Sequence, residues 1–106
     1  MLLFQEVTNW RVYCDLEAAL SGQAGAVSLA RAVADGRAAS GLAPETAELL
    51  RTGEVMLRLR GAMRARATAE AAALLRELPA PASCVAAEVE RCRAALAMHA
   101  GDGERD

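Results

Sequence analysis

Apolar residues recur at helical spacing along most of the chain, and short polar, glycine or proline segments interrupt them. No segment shows a sustained two-residue alternation of the kind that a β-strand requires. The pattern predicts an all-α fold of about five antiparallel helices, arranged as a short solenoid or a helical bundle. The expected helices are about Gln5–Leu20, about Ala24–Asp35, Pro44 to Arg64 or Arg66, after Thr68 to Leu78, and after Ser83 to about Met98.

Residues with special backbone preferences set the expected helix ends. Gly36 is placed to stop the second helix in a left-handed conformation, so that residues 36–41 form a loop. Pro44 suits the first position of the third helix, because its missing N–H would have no helical partner there. Thr68 and Ser83 are candidate N-caps of the last two helices. Residues 1–100 are expected to form a single helical domain, and residues 101–106 a disordered tail.

The first predicted helix carries one apolar stripe at positions i, i+4, i+7 and i+11, formed by Leu3, Val7, Trp10 and Cys14. We expect this stripe to face the core, with Tyr13, Leu16 and Leu20 widening it. All three aromatic residues of the chain, Phe4, Trp10 and Tyr13, lie near this helix. They have two interpretations: they anchor the helix to the core, or they form a hot spot that binds a partner.

A shift of the chain by 43 residues aligns similar residues, for example Val7 with Leu50 and Leu16 with Leu59. The first, third and fifth helices then become equivalent, as do the second and fourth. This gives two and a half helical hairpins, with a period typical of helix-pair solenoids. Alternatively, any antiparallel string of helices rich in Ala and Leu aligns with itself, so the offset alone does not establish a repeat.

The helix ends at residues 16–20 and 59–63, LEAAL and LRGAM, resemble each other and are spaced by Ala-rich helices. In this respect the chain resembles degenerate α-helical-hairpin repeat arrays found in large proteins of algae and other protists. The resemblance extends over residues 3–98, but its motifs are unspecific and no functional residue is transferred from it. It implies a scaffold or an interaction surface.

Charge narrows the possible partners. The net charge of -2 predicts no general affinity for nucleic acid or for an anionic membrane. No apolar run approaches the roughly 20 residues of a membrane span. Three cysteines, an odd and sparse number, favour unpaired thiols and therefore the cytoplasm or another reducing compartment.

Residues 51–66 are locally basic, with five Arg against one acid. Their C-terminal part, residues 55–66, resembles a degenerate IQ motif: Val55, Arg60 and Gly61 match, Met56 replaces the glutamine, and the final basic residue, Arg66, comes one place late. This resemblance implies a calmodulin-like partner bound through a basic amphipathic helix. The alternative is that the apolar side packs internally while the arginines pair with acids. The candidate partner-binding arginines are Arg58, Arg60, Arg64 and Arg66.

Few residues of the chain indicate a catalytic site or a metal site. His99 is the only histidine, and Cys84 and Cys92 are eight residues apart on one helix, about 12 Å along its axis. One zinc ion could not bind both thiolates, since each Zn–S bond is about 2.3 Å. No cofactor is expected.

The first hypothesis is therefore a non-catalytic subunit or adaptor that binds a protein partner or self-associates. The alternatives are the calmodulin-family element at 55–66 and a small helical enzyme or ligand-binding regulator.

Overall fold

The computed structural model describes the backbone of residues 2–78 and 81–105, and the side chains of residues 6–78 and 81–98. Over these residues the protein is all-α, as predicted, with five helices and no strand. The helices are α1 (Leu2–Ser21), α2 (Leu29–Ala38), α3 (Pro44–Ala65), α4 (Thr68–Arg76) and α5 (Ala86–Arg105). Within the described part, none of the helices combines the length and the apolar character needed to cross a bilayer.

The second helix differs from its prediction at both ends. It begins later, after Ser28, whose hydroxyl oxygen accepts a hydrogen bond from the Arg31 N–H at 3.2 Å. It also continues through Gly36 to Ala38, so the predictions of a left-handed stop at Gly36 and a loop from residue 36 were wrong. Gly36 is buried inside the helix, where the absence of a side chain allows close packing rather than a turn.

Two predicted N-caps also proved wrong. Ala67 occupies the cap position of α4, without a side-chain hydrogen bond, and Thr68 is already helical. Ser83 lies in a turn ahead of α5, and its carbonyl accepts from the Ala86 N–H at 3.4 Å. The α5 helix runs to Arg105, past the predicted end near Met98. The side chains from residue 99 onward lie outside the described set, and the disordered tail at 101–106 stays a prediction.

The chain divides into two compact units, Met1–Leu57 and Arg58–Asp106, and the boundary falls inside α3. The single domain expected for residues 1–100 stays a prediction. The first unit has a core formed by one side of α1, by α2 and by the first half of α3. Its buried apolar side chains are Val12, Leu16, Ala19, Leu20, Leu29, Ala32, Val33, Leu49, Val55 and Met56.

Glycine allows α2 and α3 to lie close to the other helices of the first unit. A methyl group at Gly53 would lie 3.1 Å from Val33 Cγ2 and 3.2 Å from Leu16 Cδ2. A methyl group at Gly36 would lie 2.8 Å from Leu50 Cδ1 and 3.5 Å from Val12 Cγ1. The space at Gly53 accommodates Leu16 of α1 and Val33 of α2, and the space at Gly36 accommodates Leu50 of α3, with Val12 of α1 in ordinary van der Waals contact.

The inward side of α1 is only partly the predicted one. Leu16 and Leu20 are buried as expected, together with Val12, whereas Val7 is 63% exposed and Trp10 is 65% exposed. Of the stripe expected to face the core, Val7, Trp10 and Cys14 therefore face outward, and Leu3 lies outside the residues whose side chains are described. The prediction failed because α1 carries apolar residues on two opposite sides, and helical spacing alone does not choose between them.

A side-chain hydrogen bond also connects α1 with the beginning of α3. The Asn9 Oδ1 atom accepts from the Ala43 N–H at 2.8 Å, immediately before Pro44. It provides an acceptor for a backbone N–H at a helix start, where no helical carbonyl is available.

In the second unit, the end of α3 and the helices α4 and α5 enclose a smaller core. Its buried apolar side chains are Leu59, Ala62, Ala71, Leu74, Leu75, Leu78, Val85 and Val89. The Arg93 Nη2 atom donates to the Leu78 carbonyl at 3.0 Å, so an α5 side chain caps the segment that follows α4.

The helices α1 and α3 end in the same way. After α1, the N–H of Gly22 donates to the Ala19 carbonyl and the N–H of Gln23 to the Ala18 carbonyl. After α3, the N–H of Arg66 donates to the Met63 carbonyl and the N–H of Ala67 to the Ala62 carbonyl, with the same spacing. Such a motif needs one residue with positive φ: this is Gly22 at 69° and Arg66 at 58°. The two ends are 44 residues apart, which suits a repeat; the repeat itself stays a prediction.

Arg66 adopts a backbone conformation that glycine adopts at lower cost. We expect Arg66→Gly to raise the free energy of unfolding by about 1 kcal/mol, because the left-handed conformation places Cβ of a non-glycine residue too close to a carbonyl. Gly22→Ala is the matched control and should lower it by a similar amount. Urea denaturation of both variants measures this. An Arg66→Gly protein that is less stable than wild type would contradict the claim that the backbone of Arg66 is strained.

Two α3 glycines should respond oppositely to alanine. A methyl group at Gly61 would have no neighbouring atom within 4 Å, so Gly61→Ala should stabilise by about 1 kcal/mol through helix propensity. Gly53→Ala should destabilise by about 1 kcal/mol, because the atoms it meets belong to the buried Leu16 and Val33 and cannot move freely. Thermal and urea unfolding of both variants test this. The packing argument is wrong if Gly53→Ala unfolds at higher urea than wild type.

Candidate protein-interaction site

The outward side of α1 presents an apolar surface. We define the outer stripe as Val7, Trp10 and Cys14, which succeed each other at intervals of three and four residues. Val7 and Trp10 are two of the exposed large apolar side chains in the described part of the chain, and Cys14 is also exposed. Since the opposite side of the helix forms the core, the stripe contributes little to packing within its own unit.

Tyr13 lies beside the outer stripe and stacks on Trp10. Their ring centroids are 6.3 Å apart and their planes differ by 8°. Trp10 is therefore not the core anchor that one interpretation expected, whereas the half-buried Tyr13 connects the stripe to the body of the unit. Phe4, the third predicted aromatic, lies outside the residues whose side chains are described.

The four arginines predicted as a binding cluster do not form one patch. Arg60 makes a two-pronged ion pair with Glu88: Nε to Oε2 at 2.8 Å and Nη2 to Oε1 at 2.7 Å. The hydrogen bonds that Arg60 donates to the Glu88 carboxylate raise the pKa of Arg60 above its usual value, against the opposing effect of desolvation. Arg58, Arg64 and Arg66 are exposed. Arg60 is therefore engaged in a contact within the second unit, whereas the other three arginines lie at the surface.

The apolar residues of the IQ-like segment are buried. Val55 is 4% exposed, and Met56 and Leu59 are fully buried. A calmodulin-like protein that binds a helix in its groove needs such anchors on the surface. Binding through residues 55–66 stays a prediction, and in this fold it would require α3 to leave its core.

The described residues show neither an activated cysteine thiol nor a group of side chains that could bind a metal ion. Burial, and secondarily the charge of Glu88, raise the pKa of the Cys92 thiol, although Arg91 and Arg60 act in the opposite direction. A raised pKa lowers the thiolate fraction at neutral pH, which is the reverse of nucleophile activation. Among the described residues, no three His, Cys, Asp or Glu side chains are grouped so that they could hold a metal ion.

Each unit also has an open groove. In the first unit a groove of about 490 Å³ lies between α1 and α2 and is lined by charged side chains of both signs, among them Arg11, Asp15, Arg31 and Asp35. In the second, a groove of about 210 Å³ is mainly apolar and includes Met63 and Leu96. The lining residues do not test the role of a small enzyme or ligand-binding regulator, which stays a prediction.

Sequence reasoning named Trp10 and Tyr13 as candidate binding residues but placed Val7 and Cys14 in the core. One signal in the sequence could have identified them: Val12, Leu16, Ala19 and Leu20 form a second apolar stripe on α1, which is entirely aliphatic. A helix with two such stripes can bury one internally and offer the other to a partner.

Comparisons of the chain with protein-family models, curated proteins and solved structures found no match.

The Arg60–Glu88 pair should stabilise the fold more than the other long-range pair. Its side chains are only 30% and 26% exposed, against 64% and 36% for the single contact of Arg37 with Glu54. Double-mutant cycles with alanine should give a coupling energy of about 1 to 2 kcal/mol for Arg60–Glu88 and below about 0.5 kcal/mol for Arg37–Glu54. Equal coupling energies would contradict a structural role for Arg60.

Proposed function

We propose that this chain is a non-catalytic interaction or structural subunit that binds another protein chain through the outer stripe of α1. The observation that carries the proposal is the exposure of Val7 and Trp10 on the side of α1 opposite the core. An exposed apolar stripe costs solubility, and in proteins such surfaces mark interaction sites more often than isolated apolar residues do.

The chemistry of the stripe suits a protein partner. Trp and Tyr are enriched among residues that dominate binding energy, because each buries a large area and loses few rotamers. Trp10 is held against Tyr13 and is 65% exposed, so a partner could still cover most of its ring. Burying a side chain of this size contributes about 2 to 4 kcal/mol to binding. A cytoplasmic or otherwise reducing compartment is part of the proposal, since Cys14 is an exposed thiol without a disulfide.

The experiment is affinity capture with a tagged chain from extract of the source cells, followed by mass spectrometry. The double variant Val7→Ser/Trp10→Ala removes the stripe, and both positions are exposed, so melting and far-ultraviolet circular dichroism should stay close to wild type. We expect co-purifying chains, including untagged copies of this protein, to decrease about tenfold or more, since Trp10 alone contributes at least about 2 kcal/mol.

Met98→Ser is the matched control, because Met98 is 73% exposed but lies on α5. It should retain the captured chains at the wild-type amount. If the double variant retains them as well, or if Met98→Ser loses them equally, the outer stripe is not the binding surface.

A further inference from the structure

The outer stripe has the spacing of a coiled-coil seam. Val7, Trp10 and Cys14 are separated by three and four residues, which places Val7 and Cys14 at successive a positions and Trp10 at the d position between them. Two helices that repeat this spacing can pack their seams together, each side chain inserting between side chains of the facing helix. The spacing thus allows α1 to pair with a helix like itself.

The charges beside the seam indicate which helix α1 pairs with and whether the two helices run parallel or antiparallel. In this register Glu6 occupies a g position and Arg11 the following e position, and both are exposed. Neither makes an ion pair within the described part of the chain. In a parallel pair of helices, each g residue faces the next e residue of the partner, so Glu6 of each copy would face Arg11 of the other.

An antiparallel pair would bring g opposite g and e opposite e. Glu6 of one copy could then not face Arg11 of the other, so the antiparallel pair lacks this attraction. The two Glu6–Arg11 contacts are therefore available only to the parallel arrangement.

We propose that the outer stripe binds the outer stripe of a second copy of this chain, forming a symmetric dimer through parallel α1 helices. This inference rests on the proposed function, because it names the occupant of the same surface. A two-fold axis parallel to the helices gives each copy the same contacts: Trp10 against Trp10, Cys14 against Cys14, and two Glu6–Arg11 pairs.

The short apolar seam limits the affinity of the dimer. Glu17 stands at the d position after Cys14 and is exposed, so the apolar seam ends within two heptads and the two Glu17 carboxylates face each other. A 20-residue helix is about 30 Å long and contributes much less than the roughly 800 Å² per partner of a standard interface. We therefore expect a dissociation constant in the micromolar range or above, and a monomer–dimer equilibrium that follows concentration.

Sedimentation velocity of the purified full chain, from low to high micromolar concentration in reducing buffer, tests the pairing. The weight-average sedimentation coefficient should rise with concentration for wild type and stay at the monomer value for Val7→Ser/Trp10→Ala. Glu17→Leu should strengthen association about tenfold, because it extends the seam and removes a repulsion. A wild-type chain that stays monomeric throughout would overturn the inference.

Charge reversal tests the direction. Arg11→Glu should weaken association about tenfold, since each Glu6 then faces an acid, and Glu6→Arg/Arg11→Glu should restore it. The double variant keeps the net charge, which separates specific pairing from a general charge effect. Failure of the double variant to recover would overturn the parallel register.

Disulfide trapping gives an independent distance measurement. In a Cys84→Ser/Cys92→Ser chain, mild oxidation should convert most of the protein to a Cys14–Cys14 dimer, because facing a positions bring the Cα atoms near the range of about 4.4 to 6.8 Å that a disulfide requires. In an antiparallel pair with Val7 facing Trp10, the two Cys14 residues would be about 16 Å apart along the axis. Association without trapping would therefore overturn the parallel arrangement.

The two proposals fail in different ways. A chain that stays monomeric but captures a different protein through Val7 and Trp10 would overturn the dimer and leave the proposed function standing. A monomeric chain whose captured proteins ignore the stripe variant would overturn both.

Discussion

The close packing at Gly36 and Gly53 is the constraint on which the first unit depends. A methyl group at either position would meet a side chain of α1 or its neighbours, at 3.1 and 3.2 Å for Gly53. Because Gly53 lacks a Cβ atom, the Leu16 side chain of α1 can lie against α3, and Val12, Leu16 and Leu20 are buried. Trp10 lies on the opposite side of α1 from these residues and is 65% exposed, so the candidate binding surface is the side of α1 that this packing leaves outside.

Charged residues serve the two units differently. Residues 51–66 are basic in sequence, but in the second unit the bidentate contact with Glu88 pairs Arg60 internally. In the first unit Glu6 and Arg11 flank an apolar stripe and remain exposed. Charges that complete a partly buried hydrogen-bonded pair contribute to stability, and in the proposed dimer the exposed Glu6 and Arg11 contribute to the choice of partner.

A helix with two apolar sides is an economical way to combine a small core with an interaction surface. The α1 helix buries Leu16 and Leu20 within its own unit and presents Val7 and Trp10 on the opposite side. Its short seam, limited by Glu17, suits an association that responds to concentration rather than a permanent one. Part of this candidate surface, the aromatic pair Trp10 and Tyr13, was named from the sequence by residue type. The rest, Val7 and Cys14, was not, because apolar spacing looks the same for a core and for a partner.

The sequence by itself determined the fold class, the number of helices in the described residues and the start of α3 at Pro44, because helical periodicity and the proline ring act on the local backbone. Tertiary structure decided what depends on contacts between distant residues. In the folded chain α2 continues through Gly36, since a buried glycine can allow close packing as well as a turn. Tertiary structure also decided the inward side of α1, because the packing of Leu16 against Gly53 joins residues distant in sequence, and helical spacing treats the two apolar stripes as equal.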